Sequence, residues 1–225
     1  MSDELKRQAA LVALEEIRSG MVVGLGTGST ASHFIRELGA MVRSGLKVVG
    51  IPTSEASHRL AAEVGVPLTD FKTNPKIDVT VDGADEVSPE LDLIKGLGGA
   101  LVREKVVAHA SRRVIIVVDD SKLVDRLGSR TVIPVEVIPL AVDLITAQLE
   151  SWGGQARIRE KDGKPFVSDN GNLILDWKHG AISDPAELER RIKGLTGVVD
   201  SGIFAGVAQC VIVAGSLGCR KLEKP

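Results

Sequence analysis

Apolar positions along this chain follow two periods. Leu5, Ala9, Ala13 and Ile17 recur at helical spacing, with Lys6, Arg7, Glu15 and Glu16 around them. That pattern predicts an amphipathic helix, with Gly20 closing it. Met21–Leu25 reads as a short buried strand, followed by a Gly-rich turn and a helix over 30–42. Lys47–Ile51 is a second strand, and another helix starts near Ser54. Ile77–Val81 and Val114–Val118 are strands, with a helix over 100–110 between them. Strands alternating with helices imply a parallel sheet with crossover helices.

The pattern changes near Ser129. Val132–Val137 is strand-like and Pro139–Glu150 helical. Hairpin signals follow at Asp162-Gly163-Lys164 and Asp169-Asn170-Gly171. Leu173–Leu175 is a strand, and Asp184-Pro185 opens a helix with Asp as N-cap and Pro in the first turn. This βαββα order predicts a small α+β domain of residues 129–204. The main α/β domain is expected to comprise 1–128 and 205–225, with the apolar run Cys210–Ala214 returning to the parallel sheet.

Composition narrows the partners. The formal net charge is −2, so no global basic field attracts nucleic acid. Apolar runs such as Val114–Val118 fall far short of the ~20 residues that span a bilayer. The first residues carry Asp3 and Glu4 ahead of an amphipathic helix, which does not read as a signal peptide. Of the two cysteines, Cys210 sits in an apolar run and reads as a buried thiol, while Cys219 lies in a Gly-rich tail. A reducing, cytoplasmic setting is expected.

Candidate chemistry gathers after the strands. Gly24–Thr30 joins a strand to a helix, where glycines let the backbone approach a ligand and helix N–H groups face an anion. Phosphate binding by Thr27, Gly28, Ser29 and Thr30 is one reading; a plain tight turn is the other. The loop has neither the Gly-Lys-Ser/Thr ending of a P-loop nor the full dinucleotide fingerprint. The second strand ends in Thr53 and Ser54 instead of a ribose-binding acid, and hydroxyls there suit another oxygen-rich ligand. Asp82-Gly83-Ala84-Asp85 follows the third strand, its two carboxylates facing one pocket or else closing an Asx turn. Lys95-Gly96-Leu97-Gly98 is a second Gly-rich loop. It leads into Arg103-Glu104-Lys105, which reads either as site residues or as solvated charges. Lys122 follows the fourth strand. His33, His58, His109 and His179 are scattered, and no metal-ligand spacing is present.

Together these segments resemble the ribose-5-phosphate isomerase type A family. Gly26–Thr30, Thr53–Ser57, Val81–Glu86, the Lys95-Gly96 loop running into Arg103–Lys105, and Ser121-Lys122 stand in the family's order. Val135–Pro139, Asp169–Asn172 and Gly197–Val199 are similar to its later segments. Leu97 departs from the pattern, in which many relatives have a further Gly or a polar residue; Trp177-Lys178-His179 is also less typical.

The resemblance implies a Rossmann-like α/β main domain with a smaller ferredoxin-like α+β domain, usually in a homodimer or a dimer of dimers. It implies a cofactor-free and metal-free aldose–ketose isomerase of the pentose phosphate pathway, serving carbon fixation in phototrophs. Ribose 5-phosphate and ribulose 5-phosphate would interconvert through an enediolate. Glu104 would be the base, Asp82 and Asp85 would hold the sugar hydroxyls and help open the ring, and Lys95 would balance the oxyanion. Residues 27–30, the 82–85 turn, the Lys95–Gly98 loop and Lys122 would bind the substrate. The competing readings are an amino-sugar-phosphate deaminase type of enzyme, a phosphosugar-sensing regulatory domain and a dinucleotide-binding module.

Overall fold

The computed structural model describes residues 3–216 and 218–224. In chain order its elements are α1 (Asp3–Leu14), β1 (Val22–Leu25), α2 (Ser29–Arg43), β2 (Val49–Pro52), α3 (Glu55–Val64), β3 (Ile77–Asp82), β4 (Glu86–Val87), β5 (Leu93–Ile94) and α4 (Leu101–His109). Next come β6 (Ser111–Asp119), β7 (Ile133–Val137), α5 (Val142–Ser151), β8 (Gln155–Ile158), β9 (Glu160–Lys161), β10 (Lys164–Pro165), β11 (Leu173–Lys178), α6 (Pro185–Lys193), β12 (Val198–Ser201), β13 (Ile203–Phe204), β14 (Cys210–Gly215) and β15 (Gly218–Glu223). Among the described residues no helix is long and apolar enough to cross a membrane.

Contacts divide the chain into two compact units. The first holds the chain up to Ala84, Arg103–Lys122 and the chain from Val207 on; the second holds Asp85–Val102 and Leu123–Gly206. These limits differ from the sequence expectation of 1–128 with 205–225 and 129–204. The reason is local. β5 pairs with β4 on one side and with β13 on the other, inside the second unit. There the Glu86 carboxylate, 1% exposed, accepts the N–H groups of Gly128, Arg130 and Thr131 at 2.6–2.7 Å.

The first unit is a six-stranded sheet ordered β15-β14-β6-β3-β1-β2. Five strands run parallel, in the doubly wound order 2-1-3-4-5, with β15 antiparallel at the edge. The order turns back between β1 and β3, the position where such sheets bind ligands. One core packs Phe34, Ile35 and Leu38 of α2 and Ala9 and Ala13 of α1 against Val23, Val79, Ile115 and Ile212. A second packs Val107 of α4 with Val22, Ile51 and Ile77. Cys210 is buried as expected, and burial pushes its thiol up. Cys219 lies within β15, where a tail had been expected.

In the second unit the order β7-α5-β8-β11-α6-β12 gives an antiparallel sheet arranged β12-β7-β11-β8. That is the βαββαβ ferredoxin-like arrangement, with strand order 4-1-3-2 and the β9–β10 hairpin inserted. Asp162 and Gly163 both take positive φ in the hairpin turn, as its sequence predicts. Val135, Ile145, Leu149, Leu175, Trp177, Leu188 and Ile192 form the core. Glu136 is fully buried on β7. Its Oε1 accepts from Ser168 Oγ, Asn170 Nδ2 and Asn172 Nδ2 at 2.9–3.0 Å, which gives the 168–172 segment a structural purpose.

Lys221 ties β15 to the chain after α1 by ion pairs with Glu15 and Glu16. Lys221 Nζ donates to Glu16 Oε1 at 3.1 Å, and this bond holds the Glu16 carboxyl below the usual carboxylate range against the opposing effect of burial. A lowered folded-state value stabilises above the unfolded-state value and is lost as pH falls through the folded one. Glu16→Gln is therefore expected to lower Tm at neutral pH. The cost should be only ~0.2–1 kcal/mol, because both groups are about a third exposed. In thermal melts the difference from wild type should close on acidification; a gap that persists at low pH would contradict this account.

Candidate active site

In the first unit, β1 runs directly into the turn that opens α2. Gly26 N–H donates to Val81 O at 3.0 Å, and Thr27 N–H donates to Asp82 Oδ1 at 3.0 Å. A Cβ on Gly26 would fall 2.6 Å from the Asp82 Cα, so only glycine lets the two strand ends lie this close. Gly28 stands at the N-cap of α2 with φ +104 and no side-chain cap. The first N–H groups of α2 are thus left to an external acceptor, where the positive end of the helix dipole favours an anion. Gly28 and Ser29 are exposed, and Thr27 and Thr30 are half-buried.

Thr53 and Ser54 serve the fold, where the sequence suggested ligand donors. Thr53 is fully buried and its hydroxyl donates to Leu25 O at 3.0 Å. Ser54 is the N-cap of α3 in a capping box with Ser57. Both hydroxyls lie within 2.8 Å of Thr27 Oγ1, so they brace the turn from behind.

Asp82 ends β3 and is 2% exposed; its Oδ1 also accepts Gly83 N–H at 2.8 Å. These two bonds hold the carboxylate at the sheet's switch point. Gly83 and Ala84 are half-buried.

Glu104, in the first turn of α4, is 5% exposed, and Lys105 is 2% exposed. Arg103 reaches Glu55 on α3 at 2.8 Å and, chiefly through that hydrogen bond, draws the Glu55 carboxyl below its ordinary range. Three solvated charges is thus the wrong description of residues 103–105: two are buried and the third is paired. Lys122 closes the 3-10 turn after β6, the neighbour of β3 in the sheet, and is half-buried.

The second unit carries the other predicted residues. Asp85, half-buried, donates its N–H to Ile94 O at 2.8 Å and accepts Leu97 N–H on Oδ2 at 3.0 Å. Lys95 is 3% exposed; its N–H donates to Gly202 O at 2.8 Å and its Nζ lies 5.6 Å from the Phe204 ring centre. Gly96 is buried, whereas Leu97 and Gly98 are exposed. Among the described residues no group of three His, Cys, Asp or Glu side chains has the arrangement to hold a metal ion.

A helix N-terminus without a side-chain cap, beside a buried carboxylate at the switch point of a 2-1-3-4-5 sheet, places this chain among the doubly wound α/β proteins. The chain matches the family model of ribose 5-phosphate isomerase A (phosphoriboisomerase A) over residues 49–218. It is 49% identical to ribose-5-phosphate isomerase A of Bradyrhizobium diazoefficiens, over 99% of this chain and 96% of that protein. It is 51% identical to the Methanothermobacter thermautotrophicus protein of the same name, over 97% of each. A solved D-ribose-5-phosphate isomerase in complex with phospho-erythronic acid is 42% identical, covers both chains completely and superposes with a TM-score of 0.97. Ribose 5-phosphate isomerase A of Methanocaldococcus jannaschii is also 42% identical, with complete coverage of both chains and a TM-score of 0.95. The chain belongs to the ribose 5-phosphate isomerase A family, and it is an isomerase. The resemblance read from the sequence motifs is borne out.

Proposed function

We propose that this chain interconverts D-ribose 5-phosphate and D-ribulose 5-phosphate in the pentose phosphate pathway. The observation that carries the reading is the uncapped N-terminus of α2 beside Asp82: an anion receptor next to a group that holds hydroxyls. In this reading Ser29, Thr30 and Lys122 hold the phosphate, while Asp82 and Asp85 take the sugar hydroxyls and assist ring opening. The Glu104 carboxylate removes the C2 proton of the open-chain aldose. The C2–H electron pair becomes the C1–C2 double bond as the carbonyl pair retires to O1, where the Lys95 ammonium stabilises the charge. A proton passes from O2 to O1, and Glu104 returns its proton to C1 as the carbonyl re-forms at C2. Carbon is oxidised at C2 and reduced at C1 within one molecule, so the electron balance closes without a redox cofactor.

The reading is tested by following ribulose 5-phosphate formation with neither nucleotide nor metal added. Activity is expected, and dialysis against EDTA should leave it unchanged. Activity that EDTA abolishes and a divalent ion restores would overturn the metal-free mechanism. The same reading has the enzyme working in the cytoplasm as a homodimer or a dimer of dimers, which sedimentation velocity distinguishes.

A further inference from the structure

Arg159, just past β8, has no part in the chemistry above, yet its side chain is only 10% exposed. Its guanidinium is committed on two sides. Nε donates to Asp176 Oδ2 at 3.0 Å, and Nη2 donates to Oδ1 of the same carboxylate. Nη1 donates to Gly96 O at 2.8 Å and to Leu97 O at 2.9 Å, one proton for each carbonyl. Backbone bonds fix Arg159 in turn: its N–H donates to Ile174 O, and its carbonyl accepts from Phe166 N–H, both at 2.8 Å. The Phe166 ring lies against Gly99, where an added Cβ would come within 2.5 Å of it. The Lys95–Gly99 loop is therefore held from one side by a charged fork and a ring.

The consequence is directional. A trans peptide sets its C=O and N–H on opposite sides, and the described chain contains no cis bond. With the carbonyls of Gly96 and Leu97 drawn onto Nη1, the N–H groups that follow, of Leu97 and Gly98, point the other way. The first meets Asp85 Oδ2. We infer that Arg159, oriented by Asp176, is a positioning residue of the isomerase. By holding the two carbonyls it lets Leu97 N–H fix Asp85 and turns Gly98 N–H toward a sugar oxygen on the same side. Asp176 balances the guanidinium charge, so Arg159 acts as a strut and not as a phosphate anchor. A lysine, with a point charge in place of a planar fork, cannot hold the carboxylate and both carbonyls in this geometry.

The inference rests on reading the Lys95–Gly98 loop as substrate-binding, so the test pairs kinetics on ribose 5-phosphate with amide hydrogen exchange in the full-length protein. Arg159→Lys and Asp176→Asn should each lower kcat roughly tenfold to a hundredfold, the scale of a small misplacement of site groups. KM should rise less than kcat falls, because the phosphate-holding α2 turn is untouched while only the sugar contacts of Asp85 and Gly98 are displaced. Exchange should quicken in both at the Leu97 amide and at the Gly99 amide, which donates to Gly96 O at 3.0 Å. A purely structural pair would lower Tm and the active fraction while kcat per folded enzyme stayed normal. Normal kcat per folded enzyme in both variants, or reduced kcat with loop exchange unchanged, overturns the inference. Asp176→Asn carries the test alone where Arg159→Lys folds poorly. A wild type inactive on ribose 5-phosphate overturns the substrate reading instead. In that case quickened exchange still supports control of the loop by Arg159, and unchanged exchange overturns it.

Discussion

Glu104→Gln is expected to lower kcat by roughly 10²-fold or more, the scale of a lost general base. The amide preserves the shape of the side chain and part of its hydrogen bonding at a position only 5% exposed, so the fold should tolerate it. It cannot accept the C2 proton. Substrate affinity should survive, because the groups proposed to hold phosphate and hydroxyls are unchanged. In D₂O the wild type should place deuterium on the carbon that receives the proton, to the extent that solvent reaches the site. The variant should do so no faster than it turns over. The decisive measurement is kcat together with ligand affinity: near-normal kcat would remove Glu104 from the role and turn attention to Asp82 or Asp85.

Taking the phosphate off the substrate should cost as much. Ribose offers nothing to the open N–H groups of α2. Hydrogen bonds to charged groups contribute about 1.5–3 kcal/mol each, so losing two lowers kcat/KM by roughly a hundredfold or more. Binding energy from that remote anchor also supports the geometry of the reacting carbons, so kcat should fall along with affinity. Comparable kcat/KM for ribose and ribose 5-phosphate would refute the anchor.

The parallel sheet was legible because its strands are short, largely apolar runs followed by polar or Gly-rich turns, and the groups after β1, β3 and β6 could be placed on the chain from that pattern. The βαββα pattern of the second unit was equally plain. β4, β5 and β13 were not, since two residues display no period. β15 hid because Arg220, Lys221 and Glu223 on an exposed edge strand look like a polar tail. The hydroxyls after β2 misled for a different reason: a serine that caps a helix and one that binds a sugar are the same letter, and only hydrogen bonds separate them. Glu86 and Glu136 resemble surface acids until the backbone amides and asparagines that surround them are known. Arg159 sits in Arg157–Lys161, a run whose charge density reads as solvated, and nothing local marks it as facing the Lys95–Gly99 loop.

The two excursions that build the second unit also shape how the chain must fold. β6 cannot pair with β3 until the chain has made and returned from the 85–102 segment, and β14 reaches β6 only after 123–206. Val114 N–H, at the start of that seam, bonds to the Gln209 side chain 95 residues away. Closure entropy grows only slowly with loop length, so a free chain of this span would lose little equilibrium stability; the toll falls on speed. A ferredoxin-like unit that condenses early, from its own neighbouring strands and helices, draws the ends of the long excursion together and shortens the search. On the ribosome its βαββαβ sequence emerges complete before β14 does. β14, the last of the parallel strands in chain order, is the one that covers the flank of β6.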